Sequence, residues 1–254
     1  MQRKLFLFAA FFAAGFIGAK AQQPTRDTPP PYRGTNTRVA GVFVTPVAGV
    51  PFSATVVIES DQLLPDGTTE QKRTINMIAR DSAGRIHNER RSLMPESFHG
   101  TPPLLEVHIF DPQTRLNTFY VPGSRIARQR LLPELPRSPE TREPWGTEEN
   151  LGVTTLNGLQ AKGTRRTFTI PAFASGTGKP VEVTDEYWYS EELHMNLLVR
   201  HSDPRTGEQA VGISGIKREE PQAALFEVPR GFKIVDMTPP AGSPGLGSGD
   251  GSNP

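Results

Sequence analysis

The most regular feature of the chain is an alternation of apolar and polar positions with a period of two residues. It is clear at Ala54, Val56 and Ile58. The same alternation recurs at Ile75, Met77 and Ala79; at Leu105, Val107 and Ile109; at Phe168 and Ile170; and at Leu193, Met195, Leu197 and Val199. This period predicts β-strands that turn one face toward a core.

Turn-forming residues separate these segments at intervals of about ten residues. Asp111-Pro112 and Asp203-Pro204 each predict a hairpin turn, because Asp favours the first turn position and Pro the second. Asn157-Gly158 predicts a two-residue turn. No long stretch after the first 21 residues keeps a helical period free of Gly and Pro. The sequence therefore predicts a mainly β protein, a curved antiparallel meander (half-barrel or sandwich-like) with at most short helices.

Polar positions allow two further predictions. The segment from Arg85 to Leu93 is mostly polar. If it is a strand, we expect it at a sheet edge or solvated on both sides, where its charges discourage pairing with other chains. His108 and His194 fall on the polar positions of their segments, which predicts solvated side chains.

The chain divides into six segments by composition. They are a signal peptide (1–21), a flexible leader (22–50), an N-terminal β-meander (51–132), a Pro-rich linker or crossing segment (133–146), a C-terminal β-meander (147–238) and a disordered tail (239–254). The two meanders are expected to form one continuous sheet. The tail is rich in Pro, Gly and Ser, a composition that does not support a packed core.

The first 21 residues have the pattern of a secretory signal. Arg3 and Lys4 precede an apolar run from Leu5 to Gly18, and Ala19-Lys20-Ala21 fits a cleavage site. The run is shorter than the roughly 20 residues that span a bilayer. We therefore expect a periplasmic or secreted protein with no transmembrane segment after cleavage.

Composition excludes several kinds of site. The 254 residues include no Cys, which excludes disulfides, thiolate metal sites and cysteine nucleophiles. Lys and Arg number 28 against 27 Asp and Glu, and loss of the signal peptide leaves a slight acidic excess. The one dense basic cluster is Arg125, Arg128 and Arg130, which a solvated strand end also explains. A nucleic-acid partner is therefore not expected.

Catalytic and metal-binding patterns are absent from the sequence. The five His residues show no metal-ligand spacing, and no nucleophile elbow or phosphate-binding loop occurs. The carboxylate pairs Asp185-Glu186 and Glu191-Glu192 are chain neighbours, which point to opposite faces of a strand. We assign no catalytic residue, metal or cofactor, and predict that the protein is not an enzyme.

The apolar stripes suggest a binding surface. No long amphipathic helix is available to cover them, so either the sheet closes on itself or a concave face stays partly open. In the second case an apolar ligand would be buried against six candidate residues: Leu105, Val107, Ile109, Phe168, Trp188 and Met195. In the first case these residues form a closed core, with Trp188 as its largest member.

Several motifs resemble known families. Trp188-Tyr189-Ser190, Asp203-Pro204 and the segment Leu225 to Pro229 look like a group of uncharacterised secreted bacterial proteins over residues 50–236. The Trp188 hairpin and the closing Phe226 to Pro229 are more distantly similar to the periplasmic lipoprotein-carrier superfamily, which includes a sensor domain that regulates an anti-sigma factor. This resemblance implies a curved antiparallel sheet with a hydrophobic concavity and no catalytic residues. The N-terminal helix of the carrier has no counterpart in the Pro- and Gly-containing residues 22–50.

Three functions are compatible with these observations. The first is an exported, non-enzymatic envelope protein that binds a lipid or acyl chain, or a lipoprotein, in a sheet concavity. The second is a periplasmic accessory that docks an envelope protein partner through an edge strand and the tail. The third is a hydrolase whose site forms only in three dimensions.

Overall fold

The computed structural model describes residues 44–133 and 146–239. Their strands are β1 (Phe52–Leu63), β2 (Thr69–Arg80), β3 (Ile86–Arg91), β4 (Met94–Pro95), β5 (Leu104–Asp111), β6 (Leu116–Val121), β7 (Ile126–Leu131), β8 (Thr147–Leu156), β9 (Leu159–Ile170), β10 (Val181–Ser190), β11 (Met195–Asp203), β12 (Gly207–Lys217) and β13 (Lys233–Asp236). Helix is limited to α1 (Ala172–Ser175) and two 3₁₀ turns, Pro122–Ser124 and Ala223–Phe226. Among these residues no helix is long and apolar enough to cross a membrane.

Parts of the predicted segments lie outside the described residues. They are the signal peptide (1–21), most of the leader (22–43), most of the linker (134–145) and nearly all of the tail (240–254).

The strands form one curved, open sheet. Its order is β13-β7-β6-β5-β3-β2-β1-β12-β11-β10-β9-β8, and β4 pairs separately with β2. The pairing of β13 with β7 is parallel and the others are antiparallel. The predicted fold class is confirmed: the chain is mainly β, curved and antiparallel, with only short helices.

The two halves of the chain meet at β1. This strand pairs with β2 on one side and with β12 on the other, so both meanders contribute to a single sheet. The backbones of β1 and β12 approach each other closely at this junction, because a Cβ on Gly207 would overlap the carbonyl oxygen of Asp61. Only glycine fits there, and its φ of +102° is also one that other residues rarely adopt.

The larger hydrophobic cluster lies on one side of the central strands. Alternate residues of β1 and β11, including Phe52, Val56 and Leu197, are almost fully buried in it. Val44 is buried in the same cluster and Val50 packs against it. The last residues of the predicted flexible leader, 44–50, are therefore part of the folded structure, because they cover this core.

Arg80 ties three parts of the chain together beside this cluster. It is fully buried, and its guanidinium donates to the carbonyl oxygens of Thr45 at 2.7 Å, Val50 at 2.9 Å and Leu193 at 3.1 Å. The guanidinium also lies 5.0 Å from the centre of the Phe52 ring. Burial lowers the pKa of Arg80. One side chain thus holds the 44–50 segment and the β10–β11 turn against the end of β2.

A second cluster lies on the other face, on β5, β6, β7 and the end of β2. The segment 221–232 crosses this face between β12 and β13, and its Phe226 is buried with Val107 and Ile109. Nδ1 of His87 lies 2.7 Å from the Leu225 carbonyl oxygen, and since a carbonyl only accepts, Nδ1 carries the proton. The crossing segment therefore covers this face over β5, β6, β7 and the end of β2.

The structure corrects the prediction of a polar edge strand between Arg85 and Leu93. β3 lies inside the sheet, between β2 and β5, and His87, Asn88 and Glu89 are buried. The Glu89 carboxylate is tolerated there because it accepts from Nε of Arg91 at 2.9 Å and from the amide of Met77 at 3.4 Å.

Two further predictions about side-chain burial were wrong. His108 is buried rather than solvated, because it lies 3.1 Å from the Glu106 carboxylate in the interior strand β5. In β2 the deeply buried positions next to the apolar face of β1 are Thr74, Asn76 and Ile78, whereas Ile75 and Met77 are half-buried. The two apolar stripes therefore do not share one face.

Candidate functional site

A large concavity lies on one face of the sheet, over β1, β2 and the strands of the C-terminal half. Its volume is about 920 Å³. Among the residues that the structure describes, it is lined by seven neighbouring strands, β2, β1, β12, β11, β10, β9 and β8, and by Glu96. We call this side of these strands the open face, because the concavity lies over it, whereas the 221–232 segment packs on β5, β6, β7 and the Ala79 end of β2.

A row of charged residues crosses the open face. Residues directly opposite each other in a ladder share a face, so the registers place one residue from each of seven strands in line. From β2 to β8 this charged row reads Arg73, Glu59, Ala210, Arg200, Glu186, Arg165 and Glu149. Arg165 bonds both neighbours, Glu149 at 3.1 Å and Glu186 at 3.2 Å, and Arg73 lies 3.4 Å from Glu59.

An apolar row lies beside the charged row, two residues further along each strand. In the same strand order it reads Ile75, Val57, Gly212, Leu198, Trp188 and Gly163. The four side chains are half-buried. Six strands at about 4.8 Å spacing give the row a length of about 24 Å. The open face therefore presents an apolar band of four half-buried side chains, of which Trp188 also packs against the first cluster.

Two glycines make room for the large side chains of the apolar row. A Cβ on Gly163 would lie 2.7 Å from the Trp188 ring, so the indole occupies the space above this glycine. A Cβ on Gly212 would lie 3.6 Å from Leu198. The indole Nε1 of Trp188 donates to Glu186 at 2.6 Å. This bond connects the apolar row to the charged row and fixes the orientation of the ring.

Acidic residues outnumber basic ones in the concavity. The lining includes seven carboxylates: Glu59, Asp61, Glu96, Glu149, Glu182, Glu186 and Glu208. Its cations are Lys72, Arg73, Arg165 and Arg200, with His201 besides. Asp61 and Glu208 are directly opposite each other across β1 and β12, an arrangement of like charges that costs stability. The uncompensated charge of the concavity is therefore negative.

A histidine–aspartate pair lies one residue from the charged row along β10 and β11, where side chains point to the opposite face of the sheet. Nδ1 of His201 is 2.6 Å from Oδ1 of Asp185, and the two residues face each other across β11 and β10. Burial raises the pKa of Tyr187, two residues along β10, and the Asp185 charge raises it further. Ser202 donates to Glu208 at 3.1 Å, so its hydroxyl does not continue the pair as a nucleophile would.

The six residues predicted to bind an apolar ligand do not form one site. Val107 and Ile109 are buried in the second cluster, and Met195 is buried in the first. Leu105 is 38% exposed at the start of β5, and Phe168 is half-buried on β9. Only Trp188 lies in the apolar row. Its role, like that of the set, stays a prediction.

Sequence reasoning missed most residues of the open face. They occupy the polar positions of the alternating segments, which were interpreted as solvent-facing. The order of the strands and the register of each hairpin are needed to see that the charges fall in one row.

Among the residues that the structure describes, no three His, Asp or Glu side chains are grouped closely enough to hold a metal ion.

The comparisons with known proteins give structural likenesses only. No protein-family model matches the chain, and no curated protein matches it. An uncharacterised conserved protein of Thermus thermophilus aligns at 12% identity over 74% of this chain and 91% of that chain, with a TM-score of 0.40. The Pseudomonas aeruginosa MucA/MucB complex aligns at 11% identity over 73% of this chain and 58% of that chain, with a TM-score of 0.41. A LolA-superfamily protein of Nitrosomonas europaea aligns at 10% identity over 71% of this chain and 91% of that chain, with a TM-score of 0.28. At these scores the likeness is partial, and no ligand or partner transfers to this chain.

Proposed function

We propose that this chain is a non-enzymatic, exported protein of the cell envelope that binds an extended segment of a partner protein on its open face. The observation that supports the proposal is the charged row directly beside a solvent-accessible apolar row. The predicted signal peptide supports a periplasmic or secreted location.

The spacing of the two rows suits an extended polypeptide. Residues two apart on a strand are about 6.8 Å apart, so a segment that lies between the rows directs alternate side chains toward each of them. Apolar side chains would pack against Val57, Leu198 and Trp188, and burial contributes about 25 cal/mol per Å². Charged side chains would meet the charged row.

The charge of the concavity selects the partner's sign. The carboxylates Asp61, Glu182 and Glu208 have no ion-pair partner within the described ranges, and among the arginines of the lining only Arg200 has none. A segment with Lys or Arg beside apolar residues supplies the missing cations. Opposite charges across an interface also accelerate encounter and exclude acidic partners.

A lipid or acyl chain is the second candidate, which the apolar row favours. An acyl chain could lie along this row and bury Leu198 and Trp188. Such a ligand would leave the acidic groups of the concavity without partners, so the geometry supports it less well.

Trp188 fluorescence tests both candidates. Trp145 is replaced by Phe so that Trp188 is the only tryptophan. The probes are a short synthetic peptide that alternates Lys and Val, the same peptide with Glu for Lys, and palmitate. We expect the Lys peptide to change the Trp188 emission, to bind less tightly in high salt and to lose affinity when Asp61 and Glu208 are replaced by Asn and Gln. Glu227→Gln, which removes an exposed carboxylate outside the concavity, is the matched control.

The outcomes separate the candidates. A response to palmitate alone would favour the acyl-chain function and overturn the peptide proposal. Equal responses to the Lys and Glu peptides would refute the role of the acidic groups. Emission unchanged by all three probes would reject the open face as a binding site.

A further inference from the structure

The turn between β9 and β10 presents the most exposed large apolar side chain that the structure describes. Phe173, in α1, is 92% exposed, whereas the next such residue, Val153, is 62% exposed. The turn spans 171–180 and its only charged residue is Lys179. From these features and those below, we infer that this turn is a membrane-contact tip that binds the surface of an anionic lipid bilayer.

The tip is rigid, so its phenylalanine is held outward. The carbonyl of Pro171 accepts from the amides of Ala174 at 2.9 Å and Ser175 at 3.0 Å. The Ser175 side chain is buried, and its hydroxyl donates to the Ala172 carbonyl at 3.1 Å. A side chain presented on a fixed turn loses little conformational entropy when it binds.

Many polar groups of the tip are satisfied within the protein, which is the condition for entering a lipid interface. Besides the bonds already given, the amide of Thr177 donates to Ser175 Oγ at 3.1 Å and the amide of Lys179 donates to Thr177 Oγ1 at 3.3 Å. Arg205 donates to the Ser175 carbonyl at 3.3 Å. Phe173 can therefore enter the lipid interface while most of these groups keep their hydrogen bonds within the protein.

The neighbouring turns extend the apolar surface. Arg205 belongs to the β11–β12 turn, and in that turn the Thr206 carbonyl accepts from the amide of Leu63 at 3.1 Å. Leu63, at the end of β1, is 39% exposed. β1, β9 and β11 run in the same direction, so these turns lie at one end of the sheet. Lys179 supplies the positive charge that anionic headgroups attract. In the neighbouring turns Asp203 is paired with Arg205 at 2.7 Å, and Asp66 is an exposed acid of the β1–β2 turn.

A fluorescent label at the tip tests this inference. The chain contains no Cys, so Phe173→Cys can be labelled with an environment-sensitive dye at one position. Ile234→Cys is the matched control, because Ile234 is 55% exposed on β13 at the far edge of the sheet. The probes are vesicles of phosphatidylglycerol with phosphatidylethanolamine, and vesicles of phosphatidylcholine alone. We expect a blue shift at position 173 with the anionic vesicles and no shift at position 234.

Flotation with unlabelled protein provides a second readout. Phe173→Ser should lower vesicle affinity about tenfold, which corresponds to loss of part of one buried aromatic side chain. Ile234→Ser should leave it unchanged, and Lys179→Gln should reduce the preference for anionic lipid. Circular dichroism checks that the variants fold. The inference is overturned if neither vesicle shifts the label at 173, if position 234 responds equally, or if Phe173→Ser floats like the unmodified protein.

Discussion

Replacement of Arg80 by Met should destabilise the protein by about 3–5 kcal/mol. The Met side chain keeps the apolar stem but removes three charge-assisted hydrogen bonds, to Thr45, Val50 and Leu193. Hydrogen bonds to charged groups contribute about 1.5–3 kcal/mol each, and the desolvation that Met avoids offsets part of their sum. The Thr45 carbonyl keeps the amide of Val47 as a donor at 2.9 Å, so the carbonyls of Val50 and Leu193 account for most of the remainder.

Urea denaturation followed by circular dichroism measures this effect. Arg80→Lys should fall between the two proteins, because an ammonium group cannot reach all three carbonyl oxygens with the geometry of a guanidinium. Arg73→Met is the matched control. Arg73 pairs with Glu59 on the surface with 56% of its side chain exposed, so its loss should cost less than about 1 kcal/mol.

Hydrogen exchange shows where the loss is felt. If Arg80 anchors the 44–50 segment, Arg80→Met should accelerate amide exchange in this segment and in the turn around Leu193 before it affects β1. A free energy of unfolding within about 1 kcal/mol of the unmodified protein, with unchanged exchange at these segments, would refute the anchoring role.

Two further perturbations follow from the packing. Gly163→Ala would press a methyl group onto the Trp188 ring, so it should lower the free energy of unfolding, measured by urea denaturation, by about 1–3 kcal/mol and shift the Trp emission. Gly212→Ala, where the new methyl group would have ordinary contact distances, should be close to neutral. Equal effects of the two substitutions would contradict the role assigned to Gly163. Burial lowers the pKa of His87 while its bond to Leu225 opposes this shift, so the folded protein holds His87 neutral where the unfolded chain takes up a proton. The stability that neutral His87 contributes is therefore complete above the unfolded pKa of about 6.5 and is lost as the pH falls below that value. His87→Asn should flatten the dependence of the free energy of unfolding on pH in that range.

The alternation of apolar and polar residues was sufficient to predict the strands. Ala54, Val56 and Ile58 are buried on one side of β1 as expected. Alternation failed where polar residues are buried, because a buried group such as the Glu89 carboxylate is satisfied by a half-buried partner, Arg91, and a sequence pattern does not reveal such pairs.

The charged row could not be predicted because it depends on a register shift. Asn157-Gly158 begins the β8–β9 hairpin as predicted, and an unbroken register from that turn would place Asn150 opposite Arg165. The irregularity between Asn150 and Gly152 moves the register by one residue and places Glu149 there instead. Gly152, with a φ of +82°, adopts the left-handed conformation that glycine allows at a β-bulge, but one glycine within a strand does not reveal the register of the ladder.

The position of β1 also determines when the chain can finish folding. β1 pairs with β2 through a short hairpin, but its other edge can pair only with β12. There the Ser214 hydroxyl donates to the Thr55 carbonyl across 159 residues of sequence. Contacts between such distant residues form slowly, because a long loop must close first. A newly made chain therefore keeps an unpaired central strand until its last quarter is available, and folding can be completed only after nearly the whole polypeptide has emerged.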